Sequence, residues 1–126
     1  MYINQDPEKY YQIVQKIISI DFELDLKFRT AINRLYTGFL HSYANKFNIQ
    51  LGQKDCHHLV RDSIKRTNFH TIFNNFEEIR VKADYRKESV TKFDYEEALD
   101  KKDTLLERME IFEDFDTDFI KYKDAI

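Results

Sequence analysis

The stretch at residues 29–47, RTAINRLYTGFLHSYANKF, decides the fold of this chain. Apolar residues within it and just before it recur at steps of three and four: Leu24, Phe28, Ala31, Leu35, Phe39, Tyr43 and Phe47. This spacing keeps one side of an α-helix against a core. A second apolar set, Ile32, Tyr36 and Leu40, widens the apolar sector. The pattern therefore predicts a long central helix with neighbours on two sides.

A few polar groups interrupt the buried side of this helix. Arg34 and His41 are two turns apart, roughly 10 Å along the axis, and Thr37 and Gly38 lie between them on nearly the same side. In one interpretation, Arg34 pairs with a carboxylate of a neighbouring helix, His41 bonds a hydroxyl, and Gly38 permits close helix packing. In the other, these residues open into a cleft at a dimer interface and handle a phosphate. Arg34 would then clamp the anion, and His41 would give or take a proton.

Composition favours helices throughout. The 126 residues contain two glycines and one proline, with 34% charged and 42% hydrophobic residues, so long helices with short connections are expected rather than a β-sandwich with many turns. The prediction is an all-α single domain over residues 1–126 with its core at about residues 6–113. A net charge of −3 argues against a protein that coats nucleic acid through bulk electrostatics, but leaves a local basic cleft open.

Targeting and metal signals are few. The lone cysteine, Cys56, has no internal disulfide partner, and no N-terminal run has the order of a signal peptide. No apolar run approaches the ~20 residues that cross a bilayer, so the prediction is a cytoplasmic protein with no membrane partner. Cys56, His57 and His58 are consecutive, whereas zinc ligands usually come at wider spacings. We therefore expect neither a metal nor a cofactor.

Caps and periodicity place the other helices. Asp6 and Pro7 predict the start of a first helix that runs to about residue 19, Asp21 can cap the central helix, and Asp55 can cap a third that ends near residues 67–69. Residues 48–54 contain a glycine and lose periodicity, which predicts a loop. A last helix is expected from about Phe93, with this inner stripe: Ala98, Leu99, Leu105, Leu106, Met109, Phe112 and Phe115. Residues 114–126 either extend it or form a tail.

A fourth helix is predicted from His70, with apolar steps at Ile72, Phe73, Phe76, Ile79 and Ala83. Arg80 and Asp84 are four residues apart and can pair across one turn. Tyr85 stands where the apolar periodicity stops, so the helix is expected to end there. Side chains at such an end can reach a cleft.

Two of these stretches, taken together, resemble a known family. That family is the HEPN domain, the "higher eukaryotes and prokaryotes nucleotide-binding" family. Residues 31–42, AINRLYTGFLHS, are similar to its second-helix pattern. Residues 79–85, IRVKADY, are similar to its later pattern, in which Arg is followed by Ala-Asp-Tyr. The resemblance implies an antiparallel bundle of four to five helices that forms a homodimer. It also implies a role in toxin–antitoxin, defence or RNA-processing systems.

Members of this family divide into two kinds. Many resemble metal-independent endoribonucleases, in which an Arg and a His a few residues later form a site across the dimer; others are non-catalytic partners of small nucleotidyltransferases. In this chain Tyr85 stands where the nuclease His is expected after Arg80, and no His follows Arg80. A tyrosine with an unperturbed pKa near 10 is a poor general base at neutral pH.

The candidate site residues are therefore Arg34, His41, Arg80, Asp84 and Tyr85. One hypothesis joins them: Arg34 on the central helix faces Asp84 on the fourth, with His41 and Tyr85 nearby. The expected function is a HEPN-like component of a toxin–antitoxin or defence module that acts on or binds RNA or nucleotide, and whether it cleaves RNA stays open. The alternatives are a partner of a nucleotidyltransferase with Arg34 and Arg80 as phosphate contacts, and a bundle that works only through protein contacts.

Overall fold

The structure, a computed structural model, describes residues 6–20, 23–49 and 56–113 and contains five helices in these ranges. They are α1 (Pro7–Ser19), α2 (Leu24–Lys46), α3 (Cys56–Lys65), α4 (His70–Tyr85) and α5 (Lys92–Glu113). None of the described residues forms a strand. The all-α prediction is confirmed. No helix in the described ranges has both the length and the apolar character that crossing a bilayer requires.

The central position predicted for α2 is confirmed, because α2 packs against each of the other four helices. Its buried face carries apolar and aromatic residues: Phe28, Ala31, Ile32, Leu35, Tyr36, Phe39, Leu40, Tyr43 and Ala44. Phe39 lies 6.0 Å, centroid to centroid, from both Phe73 and Phe76 of α4. These rings form the middle of the core, where large apolar surfaces contribute most to stability.

The first helix begins as predicted. The side chain of Asp6 accepts a hydrogen bond from the backbone N–H of Glu8 at 3.1 Å, and Pro7 occupies the first turn. α1 then runs antiparallel to α2. The caps predicted at Asp21 and Asp55, most of the predicted loop, and residues 114–126 lie outside the described residues.

Gly38 allows α1 and α2 to approach closely. A Cβ atom at this position would lie 2.7 Å from Cε1 of Tyr11 and 3.0 Å from Cβ of Tyr10. The hydroxyl groups of Tyr11 and Ser42 form a hydrogen bond of 2.8 Å beside this contact. The close packing anticipated for Gly38 is confirmed.

The connection between α4 and α5 is tied to the start of α2 by Arg29 and Asp25, here called the Arg29 clamp. The Arg29 guanidinium donates to four backbone carbonyls: Lys82 at 3.1 Å, Ala83 at 3.0 Å, Arg86 at 2.9 Å, and Glu88. Its Nε also donates to Asp25 at 2.8 Å, and Asp25 accepts from the backbone N–H of Val90 at 2.6 Å. The clamp bonds carbonyls in the last turn of α4 and in the connection that follows, where helical partners run out, so it ties both to α2.

The last helix begins at Lys92, one residue before the predicted start. Ala98, Leu105 and Met109 are buried, and Leu99 and Leu106 pack partly buried against the core, as the stripe predicted. The Phe112 and Phe115 side chains lie outside the described part of the chain.

Candidate functional site

A pocket of about 320 Å³ lies where α2, α3 and α4 meet, and we call it the arginine pocket. Its lining residues are Tyr36, Thr37, Leu40, His57, Arg61, Arg80 and Tyr85. α3 is positioned against α2 by a buried hydrogen bond of 2.6 Å between the hydroxyls of Tyr43 and Ser63. Because Arg61 and His57 stand within two turns of Ser63 on the same short helix, that bond helps to place both on the pocket.

Arg80 is held between two tyrosine rings. Its guanidinium carbon lies 5.2 Å from the ring centroid of Tyr36 and 5.3 Å from that of Tyr85, which is the geometry of a cation–π interaction on both sides. The Nη2 group donates a long hydrogen bond of 3.4 Å to the Tyr85 hydroxyl. The rings therefore fix the plane of the guanidinium at the wall of the pocket.

The predicted pairing of Arg80 with Asp84 is confirmed, since Nε lies 2.9 Å from Oδ2 of the carboxylate. The N–H is not aimed at that oxygen, however, and this buried Nε has no hydrogen-bond acceptor among the described residues. Charge attraction without an aligned hydrogen bond holds the pair together. The terminal nitrogens of Arg80 are thus less constrained than in a bidentate pair.

Tyr36 forms the floor of the pocket and stays protonated. Its hydroxyl donates to Oε2 of Glu77 at 3.0 Å, and Lys65 lies 3.5 Å from the other carboxylate oxygen. Burial raises the pKa of Tyr36, and the negative charge of Glu77 raises it further. Tyr36 therefore contributes its ring to the lining of the pocket and does not accept a proton.

Arg61 brings to this pocket a charge that has no counter-ion among the described residues. Its side chain is half-buried, and within the described residues it makes no hydrogen bond or ion pair. Its charge acts on the Tyr36 hydroxyl together with that of Arg80, opposing the effect of burial on the Tyr36 pKa. A half-buried guanidinium without a partner is a strong attractor for an anion.

A second pocket of about 360 Å³ lies beside the first along α2 and α4, and we call it the Arg34 pocket. Its lining residues are Leu26, Arg29, Thr30, Asn33, Arg34, Ala83 and Asp84. The Arg80–Asp84 pair joins the two pockets, because Arg80 lines one and Asp84 lines the other.

Arg34 was expected to face Asp84, and both line the Arg34 pocket, but no ion pair joins them among the described residues. Within the described residues Asp84 is bonded instead by Asn33, whose Nδ2 lies 3.1 and 3.3 Å from its two carboxylate oxygens, and is paired with Arg80. Successive helical residues point about 100° apart, and here Asn33 bonds Asp84 of α4 while Arg34 lines the pocket beside it. Arg34 is exposed and has no ion-pair partner in the described ranges.

His41 lies away from both pockets. It is 7% exposed and stacks on Tyr10 of α1 with ring centroids 5.1 Å apart, and its Nε2 is 3.4 Å from the Tyr10 hydroxyl. Burial lowers the pKa of His41, and the nearby His57 lowers it further. Arg34 and His41, which the sequence places on one side of α2, therefore do not share either pocket.

Two pocket residues, His57 and Arg61, were missed by reasoning from the sequence. They are four residues apart on α3 and so share a face of that helix. That spacing predicts that the two side chains lie together, but it does not predict which helix they face. His57 is exposed, and within the described residues no hydrogen bond orients its ring.

No family model matches the chain, and no curated protein or solved structure does either. In the described ranges no three His, Cys, Asp or Glu side chains come together as metal ligands would. The arginine pocket combines arginines with two tyrosine rings, and the Arg34 pocket combines arginines with the carboxylate of Asp84. The arginine pocket is suited to holding an anion beside an aromatic ring.

Proposed function

We propose that this chain is a HEPN-like component of a toxin–antitoxin or defence module, and that it binds the phosphate of RNA or of a nucleotide in the arginine pocket. The all-α bundle and the two HEPN-like stretches support the family. The second of those stretches, residues 79–85, supplies Arg80 and Tyr85 to the pocket.

The observation that carries the proposal is the charge of Arg61, which has no ion-pair partner among the described residues, beside the ring-held Arg80. A phosphate is the partner that two guanidinium groups prefer, because each can donate two parallel N–H groups to its oxygens. The aromatic rings next to them suit a nucleoside rather than a bare inorganic anion.

Binding is favoured over cleavage by the positions of the proton-transfer groups. His41 is buried against Tyr10. The raised pKa of Tyr36 keeps its hydroxyl protonated at neutral pH, so this group does not act as a base. One observation favours a second candidate, a metal-independent endoribonuclease: His57 shares the pocket with both arginines and could accept the 2′-hydroxyl proton. An oriented imidazole is what that chemistry needs, and His57 has no orienting hydrogen bond in the described ranges.

The binding proposal is tested by fluorescence anisotropy with a labelled uridine hexanucleotide and unlabelled nucleotides as competitors. Arg61→Ala should weaken binding about 10- to 100-fold, because a charge-assisted hydrogen bond contributes about 1.5–3 kcal/mol. Arg108→Ala, which removes an exposed arginine of α5, is the matched control and should bind as the unaltered protein does. Equal affinity of the Arg61 and Arg108 variants, both folded, would remove the basis of the proposal.

Cleavage is tested separately with total cellular RNA in EDTA. The binding proposal expects intact RNA at high protein concentration. Cleavage that persists in EDTA, is lost in His57→Ala and remains in His41→Ala would establish the nuclease in place of the binding protein.

We further propose that the protein acts as a homodimer, the assembly that the resemblance implies. Supporting it are large apolar side chains exposed on α1, after it and at the start of α2: Ile13, Ile20, Leu24 and Leu26. Sedimentation equilibrium tests the mass directly. A small nucleotidyltransferase that copurifies with the protein would favour the partnership alternative instead.

A further inference from the structure

We propose that the arginine pocket and the Arg34 pocket form one continuous track for a short single-stranded RNA segment, with Tyr85 as the stacking platform for a base. This inference rests on the proposed function and specifies its ligand. A mononucleotide would fill the arginine pocket alone, whereas the track needs a strand.

The length of the track follows from α2, which lines both pockets. Its lining residues run from Leu26 to Leu40, and fourteen helical steps of 1.5 Å give about 21 Å. At about 3.4 Å per stacked nucleotide, that length holds about six nucleotides. The two pockets meet at the Arg80–Asp84 pair, so the surface between them is neutral rather than repulsive.

Some arginines along the track have ion-pair partners and others have none among the described residues. Arg29 is occupied by Asp25 and by backbone carbonyls, and Arg80 is paired with Asp84. Arg34 in one pocket and Arg61 in the other have no ion-pair partner in the described ranges. Within the described residues the track thus offers a phosphate one guanidinium without an ion-pair partner in each pocket. Between them, Asp84 is paired with Arg80 and bonded by the Asn33 amide.

Tyr85 provides the aromatic surface. It is the last residue of α4, 70% of it is exposed, and Arg80 covers only one side of its ring. Exposed rings beside arginines bind unpaired bases by stacking, with little sequence preference. A duplex hides the faces of its bases between neighbouring pairs, so this platform selects single strands.

The test is a length series of uridine oligonucleotides, from the monophosphate to the octamer, as competitors at low salt. Affinity should rise with length to about six nucleotides and then level off. Arg34→Ala should leave the monophosphate unaffected but weaken the hexamer about 10-fold. It should also flatten the plot of log affinity against log salt for the hexamer by about 0.7, the contribution of one phosphate on a single strand.

The stacking role has its own matched pair of variants. Tyr85→Leu should weaken the hexamer about 10-fold, whereas Tyr85→Phe should weaken it much less, because it keeps the stacking ring and loses only the hydroxyl that accepts from Arg80. Thermal unfolding of each variant checks the fold, and both Arg34 and Tyr85 are exposed enough to be replaced without opening the core.

The outcomes separate this inference from the proposed function. If Arg61→Ala weakens every ligand while Arg34→Ala and Tyr85→Leu bind the hexamer normally, the track is wrong and the single phosphate pocket stands. If a duplex of the same length binds as tightly as the single strand, the stacking platform is wrong. If the unaltered protein binds none of the ligands, the proposed function fails and the track fails with it.

Discussion

Gly38 sets the distance between α1 and α2, because the Tyr11 ring lies where a side chain would begin. Gly38→Ala should therefore lower the free energy of unfolding by up to about 2 kcal/mol. Overpacking costs about 1–3 kcal/mol, and the better helix propensity of alanine returns about 1 kcal/mol. Urea unfolding measures the difference. A variant more stable than the unaltered protein would mean that α1 shifts freely on α2, because only the gain in helix propensity would remain.

His41 should make stability depend on pH near neutrality. Burial and the neighbouring His57 lower its pKa in the folded protein below the usual 6.5. The unfolded chain then binds more protons as the pH falls below 6.5, so the free energy of unfolding should decrease from there toward the lowered folded pKa. His41→Gln should reduce this slope in urea unfolding between about pH 7 and pH 5.

Replacement of the exposed His58 by glutamine is the control for that experiment, because it removes an imidazole that lies on the surface of α3. An equal change of slope in both variants would show that the burial of His41 is not the cause.

At the scale of the helices, the Arg29 clamp is the contact whose loss should cost the most. Arg29→Met keeps the length of the side chain but removes the side-chain donor of the Ala83 and Arg86 carbonyls and one of the two donors of the Lys82 carbonyl. We expect the free energy of unfolding to fall by about 2–3 kcal/mol, since hydrogen bonds from a charged donor contribute about 1.5–3 kcal/mol and unsatisfied carbonyls add a penalty. Arg108→Met, at an exposed position of α5, should change it little.

The same clamp should be sensitive to acid. The backbone N–H of Val90 and the Arg29 guanidinium lower the pKa of Asp25 below its usual 3.8. Its stabilising contribution is therefore complete above about pH 3.8 and is lost as the pH falls through the lowered folded pKa. In Asp25→Asn the free energy of unfolding should therefore decrease less steeply as the pH falls through this range. An unchanged decrease in that variant would mean that another carboxylate is responsible for the loss of stability in acid.

The helices were predictable because their apolar periodicity is strong and local. Periodicity places α2 and α4, and the Asp6–Pro7 pair marks the start of α1. The Arg29 clamp was not predictable, because its acceptors are backbone carbonyls more than fifty residues away and carry no side-chain signal.

At the scale of the whole molecule, binding should depend on salt although the chain has a net charge of −3. Two phosphates, one at Arg34 and one at Arg61, give a slope of about −1.4 for a single strand. Raising monovalent salt from about 50 to about 200 mM should then weaken hexamer binding about sevenfold. Anisotropy titrations at several salt concentrations measure the slope. A slope near zero would exclude contact with phosphates.

The candidate site could be predicted only in part from the sequence. The Arg80–Asp84 pair is local to one helix and was found by its spacing, whereas Arg61 and His57 reach the pocket through the placement of α3 against α2. Arg34 was expected to face Asp84, and both line the Arg34 pocket, but Asn33, one residue earlier on α2, makes the hydrogen bond to that carboxylate. Fold-level patterns fix which side of a helix is buried, but not which of two adjacent polar residues meets a given neighbour.

The Arg29 clamp also bears on how this chain could be lengthened. Surface connections usually accept inserted residues, because their backbone groups bond only to water. The connection between α4 and α5 looks like such a place, yet its carbonyls at Arg86 and Glu88 and its N–H at Val90 are all held by the clamp. A loop grafted there would pull these groups away from α2 and release the turn that carries Tyr85.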